Sequence, residues 1–582
     1  MIALAAPRAA HAATPVIPAG RLPGVSLRAQ ALNTAKLRAL WLLGGFAAVA
    51  SVALLRIASL GLDGQAPEHA SLEDALLPPR GEITDRNGAP LARAFPAYAL
   101  RFNPAAMGDS GAPLVRDPET IAKELKAIFP DIDEARMARR LASGKAGYLR
   151  RRILPEEANK VFALGEIALE IPRETDRYYP QGSLAAHVLG YVAETKERTG
   201  GQIGMERVLE ERLTHPVKRG EPVALSIDVR VQGALEDELR RGMLATNAIG
   251  AAGIVLDVDT GEIMALASLP DFDPNAVPAS GSVNVTNRVT NGVYELGSTF
   301  KPLTVAAAID AGVVRDLGRQ WNAAPVPVGR RTIKDSHDMG ASLNVPQALV
   351  HSSNTVTARV ADELGADKMR RAMMDLGMDS PPFIELPARS KPLWPKGNWS
   401  RVTNMTVGFG HGLAVTPLHL ASAYAAMVNG GIWRPSTLMK LAPADVPRGR
   451  RVFKESTSSR MRQLLRMISL YGTGRSADSP GYRVGGKTGS AEKAGRGGYN
   501  KTSLVSSFAA AFPMDAPRYV VVVVVDEPKG TIASSFQRTA AFTSAPIVGK
   551  LVPRIGPILG VQPDETRDVD ISDLKYLVGD AE

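Results

Sequence analysis

Cysteine is absent from all 582 residues. That excludes disulfide scaffolds, thiolate zinc sites and cysteine nucleophiles together, and a chain without thiols is indifferent to its redox compartment. Histidine is scarce as well: eight residues, scattered, with no H-E-x-x-H and no close pair at metal spacing. No metal site and no cofactor are expected from such a set. Acidic residues are missing from the first 62 positions, which hold six of the 69 Lys and Arg and leave 63 basic against 59 acidic residues beyond them. The net charge of +10 is therefore in good part a local feature and not the field of a nucleic-acid binder. Long apolar runs are absent save one. Residues 39–55 carry no charge, follow Arg8, Arg21, Arg28, Lys36 and Arg38, and continue through a snorkelling Arg56 to position 62. That is about long enough to cross a bilayer, and the basic flank places the N-terminus in the cytoplasm. A cleaved signal peptide fits less well: the preceding segment is long, no small-residue cleavage site follows the run, and Ala10-His11-Ala12 mimics one without an adequate apolar stretch.

A chain of this length at 45% hydrophobic exceeds one ordinary core, so several are expected. Asp85-Arg86-Asn87-Gly88 is a turn signal between two extended segments. Residues 117–141 and 155–164 have helical character with many solvated charges. Residues 223–228 alternate as a strand, 231–244 read as a helix, and 252–257 and 263–267 form a tight hairpin about Asp259-Thr260-Gly261. Helices then dominate until Gly485. The segments 508–512 and 520–525 read as buried strands, the second too unbroken in valine for a strand wetted on one face. Strands at both ends of a helical middle fit an α/β (α+β) architecture, an antiparallel sheet flanked by helices. No repeat is evident, and the acidic tail after Gln562 is expected to be loose.

Three short stretches carry chemistry: Ser298-Thr299-Phe300-Lys301, Ser352-Ser353-Asn354 and Lys487-Thr488-Gly489-Ser490. Each pattern alone is weak, since Ser572-Asp573-Leu574-Lys575 is also S-x-x-K, and Ser282-Val283-Asn284 and Ser342-Leu343-Asn344 are also Ser-x-Asn. Context separates them. Ser298 opens a helix containing Pro302, a residue tolerated in a first turn. At i and i+3, Ser298 and Lys301 share one face, so the lysine can serve as the base a serine nucleophile needs where no histidine is near in sequence. To act so, Lys301 must be neutral part of the time, which burial and a second cation, Lys487, favour. Ser352 and Asn354 fall between two helical runs, in a short loop that can point both groups inward. Residues 484–490 read as an edge strand whose Gly485, Gly486 and Gly489 let another backbone approach.

The ordered trio resembles that of penicillin-binding proteins and related β-lactamases. Arg80-Gly81-x-Ile83-x-Asp85-Arg86-Asn87-Gly88, Arg177-Tyr178-Tyr179-Pro180-x-Gly182 with His187-Val188-Leu189-Gly190-Tyr191, and Gly201-x-x-Gly204-x-Glu206 resemble the pedestal signatures of class B members. Gly410-His411-Gly412, Thr416-Pro417 and Asn429-Gly430-Gly431 continue the pattern. The family more often has Thr at Ser490, Pro at Leu296 and Gln at His411, where a structural turn histidine competes with a sensor of pH or acceptor.

This resemblance implies a serine β-lactamase/transpeptidase-like fold with a cytoplasmic tail (1–36), a transmembrane anchor (37–62), a periplasmic pedestal (63–222), a transpeptidase domain (223–560) and a tail (561–582). It implies a peptidoglycan D,D-transpeptidase of the inner membrane, single-pass with its catalytic domain periplasmic. Ser298 would be the nucleophile and Lys301 its base. Ser352, assisted by Lys487, would relay a proton to the leaving amine, and Asn354 would hold the donor backbone. Thr488 and Ser490 hydroxyls beside Gly489 would bind the terminal carboxylate, and the Ser298 and Ser490 N–H groups would form the oxyanion hole. Stem peptides, β-lactams, an FtsW-like polytopic glycosyltransferase and divisome proteins are the implied partners, with no cofactor and no nucleic acid. A septal, FtsI-like role is favoured. An elongation-branch transpeptidase, a D,D-carboxypeptidase or β-lactamase, and a non-catalytic divisome scaffold stay open.

Overall fold

In this computed structural model the described residues are 36–54 apart from 37, 49 and 53, then 80–106, 114–194, 199–277, 285–329, 331–495 and 498–579. The chain divides into two units, Met1–Leu76 and Leu77–Glu582. In the first, the described positions between 36 and 54 are helical and expose Leu40, Trp41, Phe46 and Leu54. Among the described residues no helix is long and apolar enough to cross a membrane. Residues 55–62 of the expected anchor, and the tail before Lys36, lie outside them.

The second unit begins with strands β1 (Ile83–Thr84) and β2 (Pro90–Phe102), antiparallel about the expected turn. Asp85 shapes that turn by accepting the Asn87 and Ala89 N–H groups at 2.8 Å each. Strands β3 (Gly147–Ile153), β4 (Leu169–Glu170) and β5 (Arg173–Tyr178) all pair with β2. Helices α1 (Pro118–Ile128) and α2 (Glu134–Ala142) each start on an aspartate cap, Asp117 and Asp133. With α3 (Pro155–Phe162) they lay Ile121, Leu125, Leu141 and Val161 against Leu100 and Phe102 of β2 as a separate small core.

The strand expected over residues 223–228 is cut short. The strand β6 (Val223–Ala224) pairs in parallel with β1, and Leu225 N–H still donates to the Thr84 carbonyl. Beyond it, Ser226 Oγ donates to the Ile263 carbonyl and Asp228 caps helix α4 (Val229–Ala245), so the backbone turns away from the ladder. The three pedestal signatures meet at a buried ion cluster. Glu206, fully buried, accepts Arg80 Nε at 2.8 Å and Arg177 Nε at 2.6 Å, while Arg177 Nη1 donates to the Gly81 carbonyl.

The second sheet comprises β7 (Gly250–Asp257), β8 (Ile263–Leu269), β9 (Gly485–Gly495), β10 (Gly498–Phe512) and β11 (Tyr519–Asp526), in the order β8-β7-β11-β10-β9, all antiparallel. The unbroken valine run of β11 has its cause here. Side chains alternate across a strand, so Val520, Val522 and Val524 join the large core under the helical middle, while Val521, Val523 and Val525 join a second core under α4 and α8 (Ser544–Ile555). The large core runs without a break from Ile83, Leu91 and Tyr179 to Ile254, Leu303 and Tyr424.

The tail expected to be loose is docked instead. Arg466 holds Asp568 at 2.7 Å, Arg567 holds Asp515, and Leu574 joins the large core. Its acidic residues meet arginines far away in sequence, which composition alone does not reveal.

Candidate active site

Ser298 lies on a 3₁₀ turn, Gly297–Phe300, that runs directly into helix α5 (Lys301–Asp310) with Pro302 in the first turn. The turn is held from below: Thr299 Oγ1 donates to the Leu296 carbonyl, and Tyr424 OH donates to the Thr299 carbonyl at 2.8 Å. It is held from the side by backbone, with Gly297 N–H donating to Gly410 O at 3.2 Å. A Cβ on Gly410 would stand 2.0 Å from the Gly297 carbonyl, and one on Gly489 2.3 Å from that of Leu296. Gly489 lets the nucleophile turn close against β9, the edge strand of the sheet, and Gly410 lets its own loop close against the other side of that turn's backbone.

Lys301 is fully buried while Ser298 stays partly exposed. The hydrogen bonds of Lys301 Nζ among the described residues go to Ser352, to its carbonyl and, at 3.1 Å, to its Oγ. The shared helix face predicts that Lys301 can reach the Ser298 hydroxyl; the hydrogen bonds its Nζ makes among the described residues are those to the Ser352 loop. Burial is the main cause that holds Lys301 well below the usual lysine range; the Lys487 charge adds to it and Asp335 opposes it. Lys487, also fully buried, is pushed down to about 7 by burial, and its Nζ donates to Thr488 Oγ1 at 3.1 Å and to Thr473 Oγ1 at 3.4 Å.

Helices α6 (Val345–Val350) and α7 (Asn354–Leu364) flank the Ser352 loop. Ser352 takes φ 63°, a left-handed conformation that is uncommon for a non-glycine residue. Asp335, which sequence reading missed, organises the loop: its carboxylate accepts the Asn354 N–H, the Thr355 N–H at 3.1 Å, Ser353 Oγ at 2.8 Å and Thr355 Oγ1 at 2.7 Å. Nothing in the polar stretch Lys334-Asp335-Ser336 signals this. Asn354 Nδ2 donates to the Lys334 carbonyl at 3.2 Å, which ties that side chain to the rim. Thr488 is buried with its hydroxyl 2.6 Å from Thr473 Oγ1, and Ser490 Oγ accepts the Ala540 N–H at 3.1 Å. Thr473, a second omission, had no sequence signal beyond two neighbouring glycines.

The competing motifs sit elsewhere. Ser342 lies on an exposed two-residue strand, Asn344 caps α6, and Ser572–Lys575 is a four-residue helix in the docked tail. Ser282-Val283-Asn284 lies outside the described residues. Among the described residues no cluster of His, Asp or Glu could hold a metal.

The arrangement is a serine on a partly exposed turn, two buried lysines, a serine hydroxyl bonded to the first of them, and a glycine-rich strand at the edge of the sheet. The penicillin binding protein transpeptidase domain matches residues 251–552, and the penicillin-binding protein dimerisation domain matches residues 75–234. A probable peptidoglycan D,D-transpeptidase FtsI of Caulobacter vibrioides is 38% identical over 497 residues, covering 83% of this chain and 82% of that protein. Peptidoglycan D,D-transpeptidase FtsI of Escherichia coli K12 is 30% identical over 507 residues, covering 83% of this chain and 84% of that protein. Among solved structures, penicillin binding protein 3 of Mycobacterium tuberculosis, complexed with aztreonam, superposes with a TM-score of 0.64 at 23% identity, over 85% of this chain and 99% of that one. With a family model spanning more than half its length and relatives similar across most of theirs, the chain belongs to the penicillin-binding protein transpeptidase family.

Proposed function

We propose that this protein is a peptidoglycan D,D-transpeptidase of the FtsI-like, septal branch. The observation that carries the reading is the contact of buried Lys301 Nζ with Ser352 Oγ one residue beyond the Ser298 turn. Ser298 attacks the carbonyl of the penultimate D-Ala of a stem peptide, its proton passing to Lys301. Ser352, hydrogen-bonded to Lys301 and assisted by Lys487, relays a proton to the departing D-Ala amine, and an amine from a second stem peptide then resolves the ester. Backbone N–H groups of Ser298 and Ser490 stabilise the oxyanion, and Thr488 and Ser490 take the terminal carboxylate. The name shared by the Caulobacter and E. coli relatives supports the septal role. An inner-membrane anchor over residues 37–62, a periplasmic catalytic domain, and an FtsW-like glycosyltransferase and divisome proteins as partners complete the proposal.

The test is mass spectrometry of the full chain in detergent after incubation with a penicillin, with peptide mapping. A stable adduct on Ser298, absent from Ser298→Ala, is expected. An adduct on another residue would sink the site assignment, rapid release of hydrolysed antibiotic would favour a β-lactamase, and no adduct would favour a scaffold.

A further inference from the structure

The segment 391–398 is tied by backbone to the residues that lead into the nucleophile turn. Leu393 and Ala414 exchange hydrogen bonds at 2.9 and 3.3 Å, and Tyr294 and Val415 exchange two more at 2.9 Å each. In the same loop Gly412 donates its N–H to Glu295, three residues before Ser298. Leu393 and Tyr294 thus flank one extended segment, and two strand spacings put their backbones about 10 Å apart.

An open groove of about 820 Å³ runs along segment 391–398. Leu393 and Gly412 line both this groove and a smaller one of about 260 Å³ that includes Glu295, so the two are continuous toward the turn. The large groove is basic: Arg370, Lys391 and Lys396 line it against one carboxylate, Asp379. Among the described residues none of the three cations is in an ion pair, and Arg370 Nε, a buried atom, has no hydrogen-bond partner. Other arginines of the helical region do hold carboxylates, Arg319 on Glu363 at 2.8 Å and Arg401 on Asp362 at 2.6 Å. Trp394 adds an apolar face to the groove. Half-buried, it leans on buried Trp399 with ring centroids 5.1 Å apart, and Pro392 and Pro395 stiffen the backbone around it.

Guanidinium and ammonium groups only donate, so unpaired ones suit carboxylates, and an indole face suits the apolar face of a sugar ring. We infer that this groove is a subsite for the peptidoglycan strand: its cations hold the free carboxylates of a stem peptide, and Trp394 receives the sugar that bears the stem. The inference rests on the transpeptidase reading for the identity of the polymer. A five-residue stem extends to about 17 Å, a length that covers the ladder between the groove and the segment leading into Ser298. A small β-lactam acylates Ser298 without needing the groove; a glycan-borne stem uses it.

The experiment uses the full chain in detergent, with a soluble, uncross-linked glycan strand bearing pentapeptide stems as the probe. Strand affinity is titrated on Ser298→Ala, which cannot turn the strand over, and penicillin acylation is timed with Ser298 intact. Arg370→Gln, Lys391→Gln and Lys396→Gln together should weaken strand binding about tenfold, the scale of three partly exposed ion pairs, and leave acylation within about twofold. Lys391→Arg with Lys396→Arg should keep the affinity. Strands whose stem carboxylates, other than the terminal one, are amidated should bind the Gln-free chain as weakly as plain strands bind the triple variant. Free pentapeptide should bind more weakly than the strand, by a margin that shrinks in Trp394→Leu. Undiminished strand affinity in the folded triple variant, or for amidated strands, would overturn the inference. A Ser298 that penicillin never acylates would overturn the transpeptidase reading instead, while strand binding that depends on the three cations would still support the groove.

Discussion

Lys487 is fully buried, and burial disfavours its charged form. Its folded-state value of about 7 lies below the usual ~10.4 of an unfolded lysine. The folded state thus binds the proton more weakly than the unfolded chain, so the ionisation opposes folding. This penalty is full below about 7, shrinks as pH rises towards ~10.4, and is gone above that. Lys487→Met should therefore raise the melting temperature at pH 6 and lose most of that gain by pH 10, while slowing penicillin acylation. A gain independent of pH would show that packing, not charge, is responsible. Lys301→Ala should slow acylation by roughly 10²–10⁴, the range for losing a general base. A near-normal acylation rate in stopped-flow would point to another base.

At the scale of elements, the site depends on one turn and one loop, each held by a group remote in sequence. Gly410 has φ 84° and its missing Cβ would overlap the Gly297 carbonyl. Gly410→Ala must therefore displace the Ser298 turn from its present position and should abolish penicillin labelling of a protein that still melts cooperatively. Retained labelling would mean the turn tolerates displacement. Asp335→Ala leaves the N–H groups that begin α7 and the Ser353 hydroxyl without their acceptor. It should cost about 3 kcal/mol of stability and reduce acylation, read by denaturant unfolding and labelling together. The Ser-x-Asn motif was legible from its neighbours; its support was not, because a carboxylate in a polar segment has no periodicity or spacing that marks its target.

Across the whole molecule, Glu206 ties the start of β1 to the end of β5. Glu206→Gln leaves two buried arginines short of a counter-charge and should cost about 3–5 kcal/mol, seen as a lower melting temperature. Acylation at a temperature well below that transition should stay within about twofold, since the cluster lies apart from the Ser298 turn in the fold. A matched loss of both would mean the first sheet and the Ser298 turn are energetically coupled, as the shared core from Ile83 to Tyr424 allows.

The amino-acid sequence by itself determined the chemistry available: no thiol, no clustered histidines, and Ser298, Ser352 and Lys487 in ordered motifs with their local turns and caps. It also determined which strands are buried, because the period of a strand is local and the valines of β11 could satisfy only a sheet covered on both faces. Tertiary structure alone decided what those residues touch. It directed Lys301 to Ser352, gave the Ser352 loop its Asp335, paired β6 with β1, and docked the acidic tail on arginines. The physical reason is range. Hydrogen-bonded turns and side-chain alternation act over a few neighbouring residues, whereas burial, ion pairing and backbone approach act through space between segments that the linear chain keeps apart.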